Sequence, residues 1–262
     1  MNTTKEIKEF FDQNGYYLAK DVYSSDEIES MESDFDRIVG QLSSGDENIN
    51  ARWGSRLTAD LEPADSVIFH THNVQAYSSV WLNAIQQKKF LDIADAILGP
   101  DIILHHTKLF QKPPKKGSAF PMHQDWQYFP TIHDTMIAGV VHVSEATDEM
   151  GCFRVYPGSH KELGRCEGMM GSGQNAERHK QYPIDKATVL QAESGDVVFF
   201  HYFTLHGSMP NSSLKTRKTV LVQLYAGNDK VEDGNGHTDV RLVLRGWNHM
   251  VTRSIAGNIL SI

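Results

Sequence analysis

Arg217-Lys218-Thr219-Val220-Leu221-Val222-Gln223-Leu224-Tyr225 is rich in β-branched and aromatic residues and reads as a strand. Working back along the chain, Asp196 to His201, Ala187 to Ala192, Gly151 to Tyr156, Thr135 to Val143 and Ile102 to Phe110 have the same character. Clusters of Gly, Pro, Asn and Asp separate these runs. No helical pattern alternates with them, which argues against a parallel βαβ sheet. An antiparallel barrel or jelly roll is expected, mainly β and decorated by N-terminal helices.

The hundred residues upstream read as mostly helical. Glu6, Phe10 and Phe11 open a short helix that Asn14-Gly15 ends, and Tyr16 to Ala19 looks like a brief strand. Ser24-Ser25-Asp26-Glu27 resembles an N-cap, with Ile28, Met31, Phe35, Ile38 and Val39 at helical spacing after it. Ser43 to Pro63 is polar and irregular, with Trp53 and Arg56 standing out. Val80 to Leu98 predicts a second helical region that Gly99-Pro100 stops, with Trp81, Ile85, Phe90, Ile93 and Ile97 on one face. The stretch from Gly158 to Pro183 is Gly- and Met-rich and reads as a long functional or disordered loop. One domain is expected over 1–262: helical decoration in 1–100, a jelly-roll core in 101–226 and a C-terminal extension in 227–262.

Composition narrows the function classes. The chain has 262 residues, 40% hydrophobic and 22% charged, with a net charge of −8. That is ordinary for a globular protein, and the spread of acid argues against a nucleic-acid partner. The densest basic stretch is Lys112, Lys115 and Lys116, too short to track a phosphate backbone. No run of about eighteen apolar residues offers a membrane span. The start Met1-Asn-Thr-Thr-Lys-Glu lacks a signal-peptide apolar region, and Leu260-Ser261-Ile262 is not a peroxisomal address. Cys152 and Cys166 form no C-x-x-C pair, so a reduced cytoplasmic chain is expected. A small-molecule substrate fits these features, and nothing in them speaks to an oligomeric state.

The sharpest local feature is Met122-His123-Gln124-Asp125-Trp126. On a strand, residues two apart face the same side, so His123 and Asp125 can offer an imidazole and a carboxylate to one point. His206 is the natural third ligand. It follows the apolar run Val197 to Phe200, and Gly207 lets the backbone pass close by. Two histidines and a carboxylate leave three metal positions open, which suits non-haem Fe(II) binding O₂ and a bidentate co-substrate together. A turn at Pro210-Asn211 should bring the Arg217 strand back beside His206. Arg217 can then hold a carboxylate bidentately, and Ser208 can donate to the same group.

Weaker signals are set aside. A second H-x-D, His237-Thr238-Asp239, sits among Gly234, Asn235 and Gly236 with no strand around it and is not read as a metal site. His105 and His106, adjacent on a strand, should face opposite sides. His70 and His72 share a face and could line a pocket, although hydrogen-bonded or surface roles are the default. His142, His160 and His201 read as structural.

At these residues the chain resembles the phytanoyl-CoA dioxygenase family of 2-oxoglutarate oxygenases. The likeness runs from Phe10-Phe11-Asp12-Gln13-Asn14-Gly15-Tyr16 to Tyr225. Its blocks are Lys112-Pro113-Pro114, His123-Gln124-Asp125 with Tyr128-Phe129-Pro130, and Gly151-Cys152 with Pro157-Gly158-Ser159-His160. Gly195-Asp196-Val197-Val198-Phe199-Phe200, His206-Gly207-Ser208 and Arg217 complete the order. The resemblance implies a double-stranded β-helix, a cupin-like jelly roll. It implies that His123, Asp125 and His206 bind Fe(II), and that Arg217 and Ser208 hold the distal carboxylate of 2-oxoglutarate. It also implies hydroxylation of an aliphatic C–H with release of succinate and CO₂.

Two departures stand out. Lys108 falls where family members touch the co-substrate, and the enzyme that names the family carries an apolar side chain there. The lysine could strengthen carboxylate binding or point at substrate. Val140 replaces a tryptophan near 2-oxoglutarate, which should widen the pocket. A small or medium-sized metabolite, not a CoA thioester, is the expected substrate, because the chain lacks clustered Arg. The roof is expected in Ser43 to Gln75 and Lys161 to Tyr182. Two rival readings stay open: a metal cupin of other chemistry (an isomerase or lyase), and a non-catalytic sensor. Arg217 speaks against the first and the intact ligand set against the second. A halogenating chemistry is disfavoured, because Asp125 fills the place chloride would need.

Overall fold

The computed structural model describes residues 3–45, 48–169, 176–234 and 237–252. Helix α1 (Thr4–Asn14) begins at a capping box of Thr3 and Glu6 and ends where Gly15 turns left-handed, φ 77°. After β1 (Tyr16–Ala19), helix α2 (Ser25–Ser43) starts at a second box, Ser24 with Glu27. Then come β2 (Phe69–His72), α3 (Ser79–Ala84) and α4 (Lys88–Leu98). The helical stretch expected over Val80 to Leu98 is therefore two helices. The Gln87 side chain accepts from the Phe90 N–H at 2.9 Å and so starts a new one.

The rest of the chain is mostly strand. β3 (Ile102–Lys112), β4 (Phe120–His123), β5 (Ile137–His142) and β6 (Phe153–Val155) come first. Two short helices follow, α5 (Ser159–Leu163) and α6 (Ala176–Gln181). Then come β7 (Thr188–Leu190), β8 (Val197–His201), β9 (His206–Ser208), β10 (Arg217–Ala226) and β11 (Leu242–Arg245). The large sheet runs β1-β8-β5-β10-β3-β11, with β2 also on β3, and the small one runs β4-β9-β6-β7. Each pairing is antiparallel. This is the double-stranded β-helix the resemblance implies. β2 and β11 escaped the sequence reading, because their polar or short segments carry little β signal. β11 ties residues 242–245 of the C-terminal extension onto β3.

The continuous apolar run of β8 reflects burial on both faces. Val197 and Phe199 join the outer core with Phe35, Trp81 and Phe90 from the helices, while Val198 and Phe200 line the inside with Val140. The structure corrects one connection. β10 does not return beside β9: β9 is bonded on both edges, to β4 and β6, and β10 lies between β3 and β5 in the other sheet. Asn211 fixes the crossing, its Nδ2 donating to the carbonyls of Lys112 at 3.0 Å and Lys215 at 2.7 Å.

The Gly158–Pro183 stretch is not structureless where it is described. It carries α5 and α6, and it buries Cys166 and Met169 against Met122 and Leu205. Residues 170–175 of this expected roof lie outside the described residues, as do Asn235-Gly236 of the second H-x-D segment and the terminal Leu260-Ser261-Ile262. Cys152 and Cys166 are both buried and free. No helix among the described residues is long and apolar enough to cross a membrane.

Candidate metal centre

His123 closes β4 and His206 opens β9, and the two are register partners across the small sheet. Asp125 is not on the strand. It sits just past it in a helical conformation, φ −83° and ψ −23°, with its N–H bonded to the Tyr202 carbonyl at 2.9 Å. The alternation argument therefore brings His123 and Asp125 together for the wrong reason: a turn, not a pleat, swings the carboxylate back. Gln124 holds that turn. Its Nε2 donates to the carbonyls of Phe203 at 2.6 Å and Gly164 at 3.0 Å, and its Oε1 accepts from Trp126 Nε1 at 3.1 Å.

The three side chains are buried, with ligand atoms within 4.8 Å of one another, and no other such group occurs among the described residues. Asp125 Oδ1 lies 3.4 Å from His123 Nε2 and 3.7 Å from His206 Nε2. Each imidazole is oriented from behind. His123 Nδ1 donates to the Pro121 carbonyl at 2.8 Å and His206 Nδ1 to the Thr204 carbonyl at 2.9 Å. Those bonds fix the tautomer that leaves Nε2 as a lone-pair donor for a metal. Burial, with His123 beside it, pushes His206 down to about 4 against the pull of Asp125, so its imidazole is neutral. Burial also pushes Asp125 up, but His206, His123 and Lys108 outweigh it and hold the carboxyl at about 2. A carboxylate with two imidazoles that present Nε2 is the donor set a divalent ion needs.

A second buried feature lies two residues past His206. Lys112 Nζ donates to Ser208 Oγ and to the Met209 carbonyl, both at 2.7 Å. Lys112 is fully buried and is the register partner of Arg217, so two cations lie side by side. Arg217 Nη1 donates to the Gly151 carbonyl, while its Nε has no partner. Burial pushes Arg217 down to about 10 and Lys112 well below its ordinary value, the latter with Arg217 adding to the effect. Glu62, the carboxylate that reaches Lys112, is already taken by Arg52, Ser118 and the Ala119 N–H. Among the described residues neither Lys112 nor Arg217 forms an ion pair with a carboxylate. Sequence reasoning ended the strand at Phe110 and gave Lys112 no role beyond a short basic stretch. Even spacing from Lys108 along β3 is the signal that could have placed it inside.

Lys108 lies at the other end of that face. Its Nζ is 5.4 Å from the Phe129 ring centroid and within electrostatic reach of Asp125. Four residues of strand, about 13 Å, separate it from Lys112. Around it gather histidines the sequence reading had scattered. The register runs from Gln223 opposite His106 to Leu224 opposite Leu104, leaving His105 as an extra, bulged residue. The bulge turns His105 and His106 the same way: their Nδ1 atoms meet and both rings pack on Phe129. His237 lies 5.6 Å from Phe129, while Asp239 takes the Tyr225 hydroxyl at 3.1 Å, so the second H-x-D parts its two side chains. His70 and His72 do share a pocket face, 4.4 Å apart. Trp53, from the expected roof, sits edge-on to His123 at 4.7 Å.

A family model described as phytanoyl-CoA dioxygenase (PhyH) matches residues 11–219. The peroxisomal phytanoyl-CoA dioxygenase of Mus musculus is 29% identical over 246 residues, covering 89% of this chain and 71% of that one. A Stutzerimonas stutzeri protein named "Probable alpha-ketoglutarate-dependent hypophosphite dioxygenase" is 25% identical over 232 residues, covering 86% of this chain and 79% of its own length. Among solved structures, EctD from S. alaskensis with bound Fe superposes with a TM-score of 0.69 at 21% identity, covering 94% of this chain and 84% of that one. With the matched segment running from the end of α1 into β10, through both histidines, the aspartate and the start of the Arg217 strand, the chain belongs to the phytanoyl-CoA dioxygenase family.

Proposed function

We propose that this chain is an Fe(II)- and 2-oxoglutarate-dependent dioxygenase that hydroxylates an aliphatic C–H of a small or medium-sized metabolite, releasing succinate and CO₂. One observation carries the reading. A buried two-histidine, one-carboxylate cluster stands beside a buried cation pair that has no carboxylate of its own. Structural cores avoid uncompensated buried charge, so such a pair calls for an anionic ligand. His123, Asp125 and His206 would hold the iron. Iron and the keto acid, when bound with O₂, supply the oxidising power that C–H cleavage needs.

This chain's residues do the rest. Arg217, Ser208 and Lys112 would take the distal carboxylate of 2-oxoglutarate, with the unpartnered Arg217 Nε and the Ser208 hydroxyl as donors. Pro121 and Thr204 keep both imidazoles in the ligating tautomer. Trp53 shields His123 from solvent. The iron in EctD and the alpha-ketoglutarate dependence in the name of the Stutzerimonas relative support the same cofactors here.

The substrate reading departs from the mouse relative's CoA thioester. A CoA carrier needs clustered basic side chains at the pocket mouth. The one basic stretch of the sequence comes apart: Lys112 is buried, Lys116 pairs with Asp65 at 2.5 Å, and Lys115 donates to the Ser212 carbonyl at 2.6 Å. The test is succinate formation from 2-oxoglutarate with Fe(II), scored across acyl-CoAs, the matching free acids and unrelated small metabolites. Stimulation by a metabolite without CoA is expected. Hydroxylated acyl-CoA formed in step with succinate, with no product from the free acids, would overturn the substrate reading. No succinate under any condition would overturn the oxygenase reading itself.

A further inference from the structure

The barrel holds a second polar set apart from the metal triad and the Arg217–Lys112 pair. His106 and Lys108 on β3 share the inner face with Gln223 on β10, since Gln223 is the register partner of His106 and Lys108 is two residues on. Gln223 is fully buried, and neither its amide oxygen nor its nitrogen has a hydrogen-bond partner. His106 is buried, and its Nε2 has no partner either. Among the described residues the Lys108 ammonium makes no hydrogen bond or ion pair, only the contact over the Phe129 ring. Buried polar groups are costly unless they are satisfied, and the two orphaned ones here, His106 and Gln223, with the partly exposed Lys108 on the same face, mark a place where a ligand completes them.

We infer that Lys108, His106 and Gln223 form a substrate subsite for an oxyanion, a carboxylate or a phosphonate or phosphate group carried by the molecule that is oxidised. The inference rests on the oxygenase reading of the metal centre and specifies its substrate class. The set offers donors and one positive charge: an ammonium, an amide NH₂ and an imidazole N–H. A neutral hydroxyl could satisfy a donor but would leave the charge of Lys108 uncompensated. Asp125, the carboxylate within reach of Lys108, is committed to the metal in this reading. The anion is not 2-oxoglutarate's distal carboxylate, because the Lys112 end of β3 is about 13 Å away.

The experiment uses protein loaded anaerobically with Fe(II) and saturating 2-oxoglutarate, titrated calorimetrically with pentanoate, butylphosphonate and the neutral pentanamide. Both anions are expected to bind and pentanamide to bind at least about tenfold more weakly, as loss of a charge-assisted contact implies. The tighter of the two anions names the source. Lys108→Met should weaken anion binding at least about tenfold, and Gln223→Leu, a packing-conservative change, should weaken it in the same direction. The half-saturation for 2-oxoglutarate, read from the visible band of the chelated iron, should stay within about twofold in Lys108→Met. Equal binding of pentanamide, no binding of either anion, or unchanged anion affinity in Lys108→Met would overturn the subsite. So would a Lys108→Met variant that loses 2-oxoglutarate instead, although the oxygenase reading would then stand. If wild-type protein gives no band at all, the oxygenase reading fails. Lys108-dependent anion binding would then still support the site, and its absence would overturn both.

Discussion

In the proposed reading Arg217 and Lys112 divide one task between two side chains, and removing either tests it. Arg217→Ala is expected to weaken 2-oxoglutarate binding by on the order of 2–5 kcal/mol while iron binding stays nearly intact, since that reading gives the guanidinium the co-substrate and not the metal. Lys112→Met should also weaken the co-substrate, because Ser208 loses the ammonium that holds its hydroxyl. Unchanged half-saturation for 2-oxoglutarate in both variants would move the anchor elsewhere. At this scale the sequence was legible wherever side-chain identity carries the chemistry. His123, Asp125 and His206 converge, although through a turn at Asp125 and not through strand alternation. Lys112 stayed hidden because a lysine beside two prolines looks solvated until its strand register is known. Lys108 was visible as an odd residue, but only the fold shows that it feels the charge of Asp125 and lies far from Arg217.

Among the elements, β9 carries the tightest geometric demand. A Cβ on Gly207 would stand 2.8 Å from the Phe120 carbonyl oxygen and 3.0 Å from Met122 Sδ, so β9 can lie against β4 only with glycine there. Gly207→Ala is expected to push the strands apart, costing on the order of 1–3 kcal/mol of stability by overpacking and lowering Fe(II) affinity as His206 moves off His123. Urea unfolding and iron titration check this together, and no change in either would mean that the spacing is slack. The strong strands and capped helices were readable, since apolar runs and Ser or Thr caps with Glu three residues on are local signals. The bulge at His105 was not, because an extra residue in a ladder leaves no mark on one strand alone. The placement of β10 away from β9 was equally invisible: it depends on which edges other strands have already filled.

Over the whole molecule, buried histidines set the response to acid. Burial pushes His70 and His105 to about 3, and His72, His142, His201 and His206 to about 4, from an ordinary value of 6.5. Below about pH 6.5 the unfolded chain binds protons that the folded one refuses, so stability falls as pH falls toward 4. Asp125, held near 2, adds stability above its ordinary 3.8 that is lost as pH drops toward 2, in the same direction. The urea midpoint of the iron-free protein is expected to drop from pH 7.5 through 6 to 5, whereas a flat or rising midpoint would contradict this. The central claim is more direct: the triad holds iron with room for a chelating keto acid, and His206 is part of it. Its test is an anaerobic titration of wild type and His206→Ala with Fe(II) and 2-oxoglutarate, read in the visible. The account predicts a weak charge-transfer band in wild type and none in the variant. No band in wild type, or the same band in His206→Ala, would contradict it.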